Sequence, residues 1–460
     1  MNAPSISAAQ QALLQKIAAL PKRPETNLDH IPGDYGWPLV GHSFSILKDA
    51  RSHNARMIEK YGTIYRSSAF TRRQVMFADA DAAQYLLMDQ AQNFSSERGW
   101  MMVREFLGGG ILLRDFADHR KHRRPLQQAF KSKVMNAYCH RLNGLISQGL
   151  ANWPRREQFL FQPAVKSLLL DNAASVFLGS ELGRESDKLN QSFVDMLGGI
   201  AVILQLRIPG TAYNRAVQGT QYLRNWLARS VGARKQSDSQ DIFTSLCHLA
   251  EDPANELSVE DIVSHTLLIW FAAHDTTTSS LCSMMTMLGE HPEWQEEVRR
   301  ELLALDDGGI GFDQTADLDI TDRVFRETLR QIPPVLMIPR RAIDAFEYRG
   351  FQIPANSAVA VLVDHIHHSE QYWSNPGEFD PDRWLPQRAE HKKHPFQWIP
   401  FGGGAHKCLG FKFADMQVKV FLYHLLRNYR IETLREPGAG TRYVPIPLPN
   451  DQLPVRLLPL

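Results

Sequence analysis

Apolar residues recur at the spacing of an α-helix through most of the first two thirds of the chain. Because positions three and four apart share one face of a helix, this period predicts amphipathic helices that bury one side. Two shorter runs, Ile64–Ser68 and Gln74–Phe77, are predicted strands. The predicted helices cover residues 50–61, 80–90, 118–130, 133–150, 164–178, 185–198, 215–230, 258–289 and 291–304.

The character of the chain changes after Arg340. Phe346–Ile353 and Ala358–Val363 are predicted strands, and residues 369–407 are rich in Pro, Gly, Asn and Asp, which is typical of an ordered coil. One more helix is predicted at residues 408–427, followed by strand-like segments. The pattern therefore predicts a mainly α protein with a smaller β-rich part, although periodicity alone does not distinguish it from a plain helical domain.

The N-terminal residues 1–28 are predicted to form a flexible tail, helical at most around Ala8–Leu20, ahead of a single domain over residues 29–460. The segment Ile31–Gly41 contains two prolines and three glycines, which exclude regular structure there. The first residues lack the compact apolar stretch of a signal peptide. No run reaches the roughly 18 apolar residues that span a bilayer. We therefore expect no membrane span, a cytoplasmic location and a monomer.

Composition and charge exclude several classes of protein. The 460 residues are 43% hydrophobic and 22% charged, which excludes collagen-like and wholly disordered chains. Lys and Arg number 51 against 50 Asp and Glu, and this net charge of +1 gives no reason to expect nucleic acid as a partner. The four cysteines are widely spaced and form neither a disulfide framework nor a zinc-ribbon pattern.

One of these cysteines, Cys408, stands between a glycine-rich bend and the start of an apolar helix, in the order Phe401-Gly-Gly-Gly-Ala-His-Lys-Cys408-Leu-Gly410. Glycines allow the backbone to approach a flat ligand closely. A sulfur at a helix N-terminus has its thiolate stabilised by unpaired N–H groups, so this is a good position for an anionic metal ligand. A buried free cysteine is the simpler reading of such a residue alone. A zinc site with His391, His394 and His406 fits no common spacing.

A second motif, Phe271–Ser280, lies inside the long apolar stretch that starts at Val263, within the helix predicted over residues 258–289. An acid, Asp275, is followed by a run of hydroxyl-bearing residues that begins with Thr276. Such hydroxyls can bond back to the carbonyl one turn earlier and bend the helix, and for Thr276 that carbonyl belongs to Ala272. The helix would then leave room for a small molecule beside an acid and a hydroxyl. A buried helix with its hydroxyls bonded internally is the alternative.

Two patterns of charged residues are further candidates for a structural or binding role. Glu327 and Arg330 stand at i and i+3 on one helical face, and Arg383 follows in an acidic-proline turn; together they would form a structural clamp. The basic run Asp118–Arg124 places His119 and Arg123 four apart, where they could hold carboxylates. A solvated helix face is the simpler reading of the basic run.

In this order and spacing, these segments resemble the cytochrome P-450 superfamily of haem-thiolate monooxygenases, from Ile31 to the C-terminus. The resemblance implies the cytochrome P-450 fold, with haem between a long distal helix and a cysteine-bearing proximal loop. It implies haem b with the iron on the Cys408 thiolate, and Asp275 and Thr276 as the acid–alcohol pair. The residues implied to contact haem are His119, Arg123, Arg340 and His406 at the propionates, with Phe401, Gly402, Gly410 and Ala272; those of the clamp are Glu327, Arg330 and Arg383.

The chain departs from the family pattern at three positions. His406 replaces the usual Arg, His119 replaces Trp in the basic helix, and Ala273 stands where Gly is commoner. None of these removes a chemical role. The Pro-Gly-Asp-Tyr-Gly segment and Ile208–Tyr213 look like the branch that acts on retinoids, sterols and terpenoids.

The resemblance implies insertion of one oxygen atom from O2 into a C–H bond of a hydrophobic small molecule, such as a terpenoid, steroid or fatty acid. Since the chain carries no flavin or iron–sulfur module, electrons from NAD(P)H would come from a ferredoxin and its reductase, or from a flavodoxin-type donor. A peroxide-driven enzyme and a non-catalytic haem-binding sensor are the alternatives. The implied pocket walls are residues 100–113, 200–213, 262–274, 335–339 and 443–449.

Overall fold

Long helices form most of the described structure, and small sheets lie beside them. The fold is that of a computed structural model, which describes residues 7–25, 27–179, 185–200, 202, 205–436 and 438–460. The helices are α1 Ala8–Ala19, α2 Ser43–Tyr61, α3 Ala80–Met88, α4 Ser96–Gly99, α5 Arg104–Leu107, α6 Phe116–Leu126, α7 Ser132–Ala151, α8 Phe161–Leu178, α9 Ser186–Ile200, α10 Ala212–Lys235, α11 Ile242–Leu249, α12 Val259–Glu290, α13 Pro292–Leu303, α14 Asp319–Gln331, α15 Val363–His367 and α16 Phe411–Leu426. The strands are β1 Ile64–Ala69, β2 Arg72–Phe77, β3 Phe94–Ser95, β4 Gln158–Leu160, β5 Met337–Ala342, β6 Phe346–Tyr348, β7 Phe351–Ile353, β8 Ala358–Leu362, β9 Tyr429–Thr433, β10 Thr441–Arg442, β11 Leu448–Pro449 and β12 Pro454–Pro459.

The largest sheet joins residues 64–95 to residues 337–362. Its strand order is β1-β2-β8-β5-β3, with β1 and β2 as an antiparallel hairpin and β2 parallel to β8. Strand β5 lies antiparallel to β8, with Arg340 opposite Val359. The sheet therefore holds Arg340, a predicted cofactor contact, on a strand that is paired on both sides.

Helix α12 is the central element of the helical part. Ser258 and Asp261 form a capping box at its start, which satisfies N–H groups that have no partner within the helix. The helix then runs without interruption for 32 residues, or about 48 Å at 1.5 Å per residue. It packs against α8, α10, α11, α13, α14 and α16. Because helices surround it, its apolar residues are buried on most of its circumference.

The predicted mainly α architecture with a smaller β-rich part is confirmed, and most elements lie within a few residues of their predicted bounds. Helix α2 begins at Ser43, earlier than predicted, and bends at Asp49, where φ is −161°. The helix predicted at residues 408–427 begins only at Phe411, with Gly410 as its N-cap residue, and the N–H of Cys408 is bonded to the carbonyl of Phe401 in the preceding loop. The bounds of α14 were not predicted, nor was helix α11, whose eight residues are too few for a clear period. Phe346–Ile353, predicted as one strand, is a hairpin of β6 and β7.

Residues 7–25 and 27–28 of the predicted tail contact the rest of the molecule. Helix α1 is capped by Ser7 and buries Ile17. The Arg98 guanidinium donates to the carbonyls of Ile17 and Ala18 at the end of this helix, and the Glu25 N–H donates to the Asn356 carbonyl at 2.9 Å. The physical reason is that a buried arginine satisfies the helix's unpaired C-terminal carbonyls, which the local sequence does not reveal. Residues 1–6 and 26 lie outside the described part of the chain.

Membrane-spanning helices were not expected. Within the described ranges, every helix is too short or too polar to cross a bilayer.

Candidate functional site

The loop before α16 holds Cys408 in a fixed position. The N–H of Cys408 donates to the carbonyl of Phe401 at 2.8 Å, which closes the loop on itself. Gly402 and Gly404 have φ of 68° and 63°, in the left-handed region that glycine adopts without strain. A Cβ on Gly404 would lie 1.8 Å from the carbonyl oxygen of Leu87, so only glycine fits where this loop meets α3.

The Cys408 thiol is accessible, whereas the other cysteines, Cys139, Cys247 and Cys282, are buried. Desolvation by the surrounding protein raises the pKa of Cys408, and the Gly410 backbone N–H and the positive charges of Arg123 and Lys407 act against it. A sulfur that is both accessible and desolvated lies in a recess rather than on an open surface. The hydrogen bond from the Gly410 N–H and the positive charges of Arg123 and Lys407 favour the thiolate form of Cys408.

Four side chains predicted to hold carboxylates come together beside this loop. The rings of His119, on α6, and His406 lie 3.9 Å apart between centroids. Arg123 donates from Nη2 to the carbonyl of Lys407 at 2.8 Å, which ties α6 to the cysteine loop. Arg340 acts electrostatically on both histidines. Strand β5, helix α6 and the cysteine loop thus meet here.

Among the described residues, no carboxylate lies within ion-pair distance of this cluster, and Asp89 and Asp115 act on Arg340 only from further away. Arg340 is 5% exposed, its guanidinium donates only to its own neighbour Pro339, and it forms no ion pair with any described residue. Burial lowers the pKa of Arg340 to about 10 and that of His119 to about 3, and it also lowers the pKa of His406. The Nδ1 atom of buried His119 has no hydrogen-bond partner. Buried donors of this kind are costly unless an anion pairs with them.

The arrangement fits a haem. A recessed cysteine sulfur suits its iron, since thiolates are ligands of haem iron in proteins. The unpaired cations and imidazoles suit its propionates, since charged donors bind carboxylates strongly. Gly402 leaves the loop open on one side, because the nearest heavy atom to a Cβ there would be Ile338 Cδ1 at 3.8 Å. The alternative zinc site is not supported, because the described His, Cys, Asp and Glu side chains form no group of three that could hold a metal.

The predicted acid and alcohol lie on α12, which packs against α16. The Thr276 hydroxyl donates to the carbonyl of Ala272 at 2.5 Å, the bond predicted from the sequence. The expected opening of the helix is not observed, since α12 is continuous. Ala272 is exposed and Thr276 half-exposed although much of the helix around them is buried, and residues four apart share one face. Both therefore border an accessible surface.

Asp275 has two partners that the sequence analysis missed. The ring nitrogen Nδ1 of His274 lies 3.0 Å from its Oδ1 atom, and Lys166 Nζ on α8 lies 3.6 Å from the same oxygen. Burial acts to raise the pKa of Asp275, but the His274 hydrogen bond and the Lys166 charge outweigh it and hold that pKa below its usual value. His274 precedes the acid in the motif and could have been found; Lys166 is 109 positions earlier and carries no local signal.

Glu327, Arg330 and Arg383, the residues of the predicted clamp, contact one another. Arg330 donates twice to the Glu327 carboxylate, from Nε at 2.9 Å and from Nη2 at 2.7 Å. Arg383 donates from Nε to Oε1 of the same carboxylate at 3.0 Å. All three side chains are fully buried. Two residues were missed: Trp384 donates to Glu327 at 3.1 Å, and Glu390 accepts from Arg383 at 2.9 Å.

The chain matches the family model described as Cytochrome P450 over residues 31–442. It is 31% identical to "Putative cytochrome P450 136" of Mycobacterium tuberculosis, over 100% of this chain and 95% of that protein. It is 25% identical to "Abscisic acid 8'-hydroxylase 2" of Arabidopsis thaliana, over 93% of this chain and 90% of that protein. Among solved structures, "Retinoic acid bound cyanobacterial CYP120A1" matches with a TM-score of 0.85 and 27% identity, over 94% of this chain and 99% of that one.

Proposed function

Because the chain belongs to the cytochrome P450 family, and is therefore an oxidoreductase of the monooxygenase class, we propose that it hydroxylates a hydrophobic small molecule on a haem held by Cys408. The observation that carries the proposal is the meeting of an accessible, recessed thiol with His119, Arg340 and His406. When bound, haem iron supplies the activation of O2 and the oxidation of the C–H bond.

The chain's own residues have separable tasks in this proposal. The Gly410 N–H, Arg123 and Lys407 stabilise the thiolate of Cys408. Arg123 and Arg340 would neutralise the propionates, and the neutral rings of His119 and His406 would donate hydrogen bonds to them. On α12, Asp275 holds a proton path to the surface through Lys166, whose side chain is 39% exposed, and Thr276 relays protons towards the reacting oxygen. Positioned proton transfer of this kind contributes about 10²–10⁴-fold to a rate.

A terpenoid-like or retinoid-like substrate is supported by two lines. One relative is an abscisic acid hydroxylase by name, and one structural neighbour was solved with retinoic acid bound. In this chain three of the predicted pocket segments come together: Phe106 packs edge-to-face on Tyr213 at 5.8 Å, and the Gly109 N–H donates to the Ser264 hydroxyl at 3.3 Å. Apolar walls favour an apolar ligand. Residues 201, 203 and 204 of the predicted walls lie outside the described residues.

A binding screen tests the proposed substrate class. Purified holoprotein is titrated with retinoids, terpenoid acids, steroids and fatty acids while the haem spin state is followed by absorbance. We expect the retinoid or terpenoid acids to shift the spin state at the lowest concentration and to give a singly hydroxylated product with an electron-donor system. Tight binding without any product would instead favour the sensor alternative.

Thr276→Ala is expected to keep haem and substrate binding but to lower product formed per NAD(P)H by about tenfold, since it removes a group that positions protons. The missing reducing equivalents are expected as hydrogen peroxide. The matched control is Thr286→Ala on the same helix, whose hydroxyl makes the same bond, to the Cys282 carbonyl at 3.0 Å. Unchanged coupling in Thr276→Ala would contradict the assigned role. Full activity with peroxide alone would favour the peroxide-driven alternative.

We place the electron donor, an acidic ferredoxin or flavodoxin-type protein, on the cysteine side of the molecule. Lys392, Lys393, Lys407 and Lys412 are exposed there. Pro395 borders the same cleft of about 900 Å³ as Lys407 and Lys412, so the two segments share one surface. Two acidic residues of that cleft are already in ion pairs: Asp415 pairs with Lys419, and Asp322 pairs with Arg326. The exposed charge is therefore mainly positive.

Reversal of two charges tests this surface. Lys392→Glu with Lys412→Glu is expected to slow reduction by an acidic ferredoxin by about tenfold at low salt, because complementary charge raises association rates. The wild-type rate is expected to fall as salt rises from 0.1 to 1 M and the Debye length drops from about 10 to about 3 Å. Lys48→Glu with Lys60→Glu on α2 is the control of equal charge. If both double variants slow reduction equally, this surface is not the docking site.

The cytoplasmic location and the monomeric state of the protein stay predictions.

A further inference from the structure

A histidine, a carboxylate and a lysine meet on the side of α12 that faces α8. His274 is buried, with its side chain 0% exposed, while the Asp275 side chain is 24% exposed and the Lys166 side chain 39% exposed. The three therefore form a short row of charged groups from the interior to the surface.

Both nitrogens of the His274 ring face acceptors. Nε2 lies 3.2 Å from the backbone carbonyl oxygen of Lys166, and a carbonyl oxygen can only accept, so a hydrogen bond here needs a hydrogen on Nε2. Nδ1 lies 3.0 Å from Oδ1 of Asp275. A neutral imidazole has one N–H only and can donate to just one of these two acceptors. A hydrogen on each ring nitrogen is the arrangement that satisfies both.

We propose that His274 carries a hydrogen on each ring nitrogen at neutral pH and serves as the proton store of Asp275. The proposal rests on the proposed function, because it assigns the source of the protons that Asp275 and Thr276 relay. The proton passes from Nδ1 to Oδ1, which leaves a neutral imidazole still donating through Nε2 to the Lys166 carbonyl. Asp275, now protonated, can pass that proton on as a carboxylic acid. A solvent proton that arrives by the exposed Lys166 restores the imidazolium.

The surroundings favour the charge on histidine rather than a neutral acid. Asp275 lies beside Lys166, and its pKa is lowered despite burial, as described above. The Phe193 ring stands edge-on to His274 at 5.6 Å between centroids and carries no charge. The other titratable group near Lys166 is the thiol of Cys282, whose pKa is raised by burial, so it stays neutral. Asp275 is therefore the anion that holds the proton on His274.

The protonation state can be measured without turnover. The holoprotein is labelled with ¹⁵N-histidine and studied by NMR as its diamagnetic ferrous–CO complex, and His274 is assigned from the peaks lost in His274→Asn or displaced in Asp275→Asn. We expect both His274 nitrogens to be protonated at pH 7 and the ring to become neutral in Asp275→Asn. Asp187→Asn, which removes an exposed carboxylate of α9, is the control and should leave His274 doubly protonated. A neutral His274 ring in the wild type at pH 7 overturns the proposal, and the assignment through Asp275→Asn holds even if His274→Asn does not fold.

Kinetics then separate this proposal from the proposed function. In His274→Asn we expect coupling to fall by about tenfold and the dependence of coupling on pH to change, whereas a merely structural role would change stability and leave that pH profile alone. If Thr276→Ala uncouples the enzyme while His274→Asn shows the wild-type pH profile, the relay stands and the proton store is wrong. If His274 is doubly protonated yet Thr276→Ala has no effect, the store stands and the assigned relay fails.

Discussion

Cys408→Ala is expected to abolish the thiolate-type absorption band of the ferrous–CO complex and to reduce monooxygenase activity to background. The reason is that no other cysteine can replace it: Cys139, Cys247 and Cys282 are all buried, and burial raises the pKa of each thiol. Iron without a thiolate ligand loses the electron donation that favours O–O cleavage. The measurement is the CO-difference spectrum of equal amounts of folded protein, checked by circular dichroism.

Cys139→Ala is the matched control for this variant. Its thiol donates to the Ile310 carbonyl at 3.2 Å inside the helical core, so the substitution should lower stability by about 1 kcal/mol and leave the band intact. A normal thiolate spectrum in Cys408→Ala, or a wild type without any Soret band, would refute the assigned ligand.

Glu327→Gln is expected to lower the free energy of unfolding by about 3–5 kcal/mol, because removing one member of a buried ion pair leaves the others uncompensated. Here two guanidiniums, those of Arg330 and Arg383, share the lost charge, and neither reaches water. The measurement is urea denaturation of the holoprotein, followed in parallel by tryptophan fluorescence and haem absorbance. Haem is expected to be released at lower urea than in the wild type.

Glu297→Gln offers a control with the same Glu-x-x-Arg spacing. Glu297 and Arg300 pair at 2.8 Å with side chains 40% and 72% exposed, and such surface pairs contribute about 0–1 kcal/mol. Equal destabilisation of the two variants would show that burial of the clamp has no energetic consequence. Glu296–Arg299 has the same spacing but is a less suitable control, because the Arg299 side chain is only 5% exposed.

The local chemistry of the site was predictable from the sequence, because it depends on residues close together in the chain. The glycines around Cys408, the hydroxyl of Thr276 four residues from the Ala272 carbonyl, and the i, i+3 pair of Glu327 and Arg330 are all local patterns. For these, backbone geometry alone determines which groups can meet. The helical period likewise predicted α12 almost to the residue.

Only the tertiary structure decided which distant groups share a site and which charges are buried. Four examples come from long-range packing: Lys166 reaching Asp275, Arg340 left without an ion pair, Glu390 completing the clamp, and Arg98 fixing α1. Glu327 and Glu297 have the same sequence spacing, yet one is fully buried and the other exposed, because only the fold determines what covers a helix face. The sequence by itself determined the residue types and local geometry of this protein. The desolvation of these groups, and the packing of Lys166 and His274 against Asp275, arise only when the helices and sheets pack together.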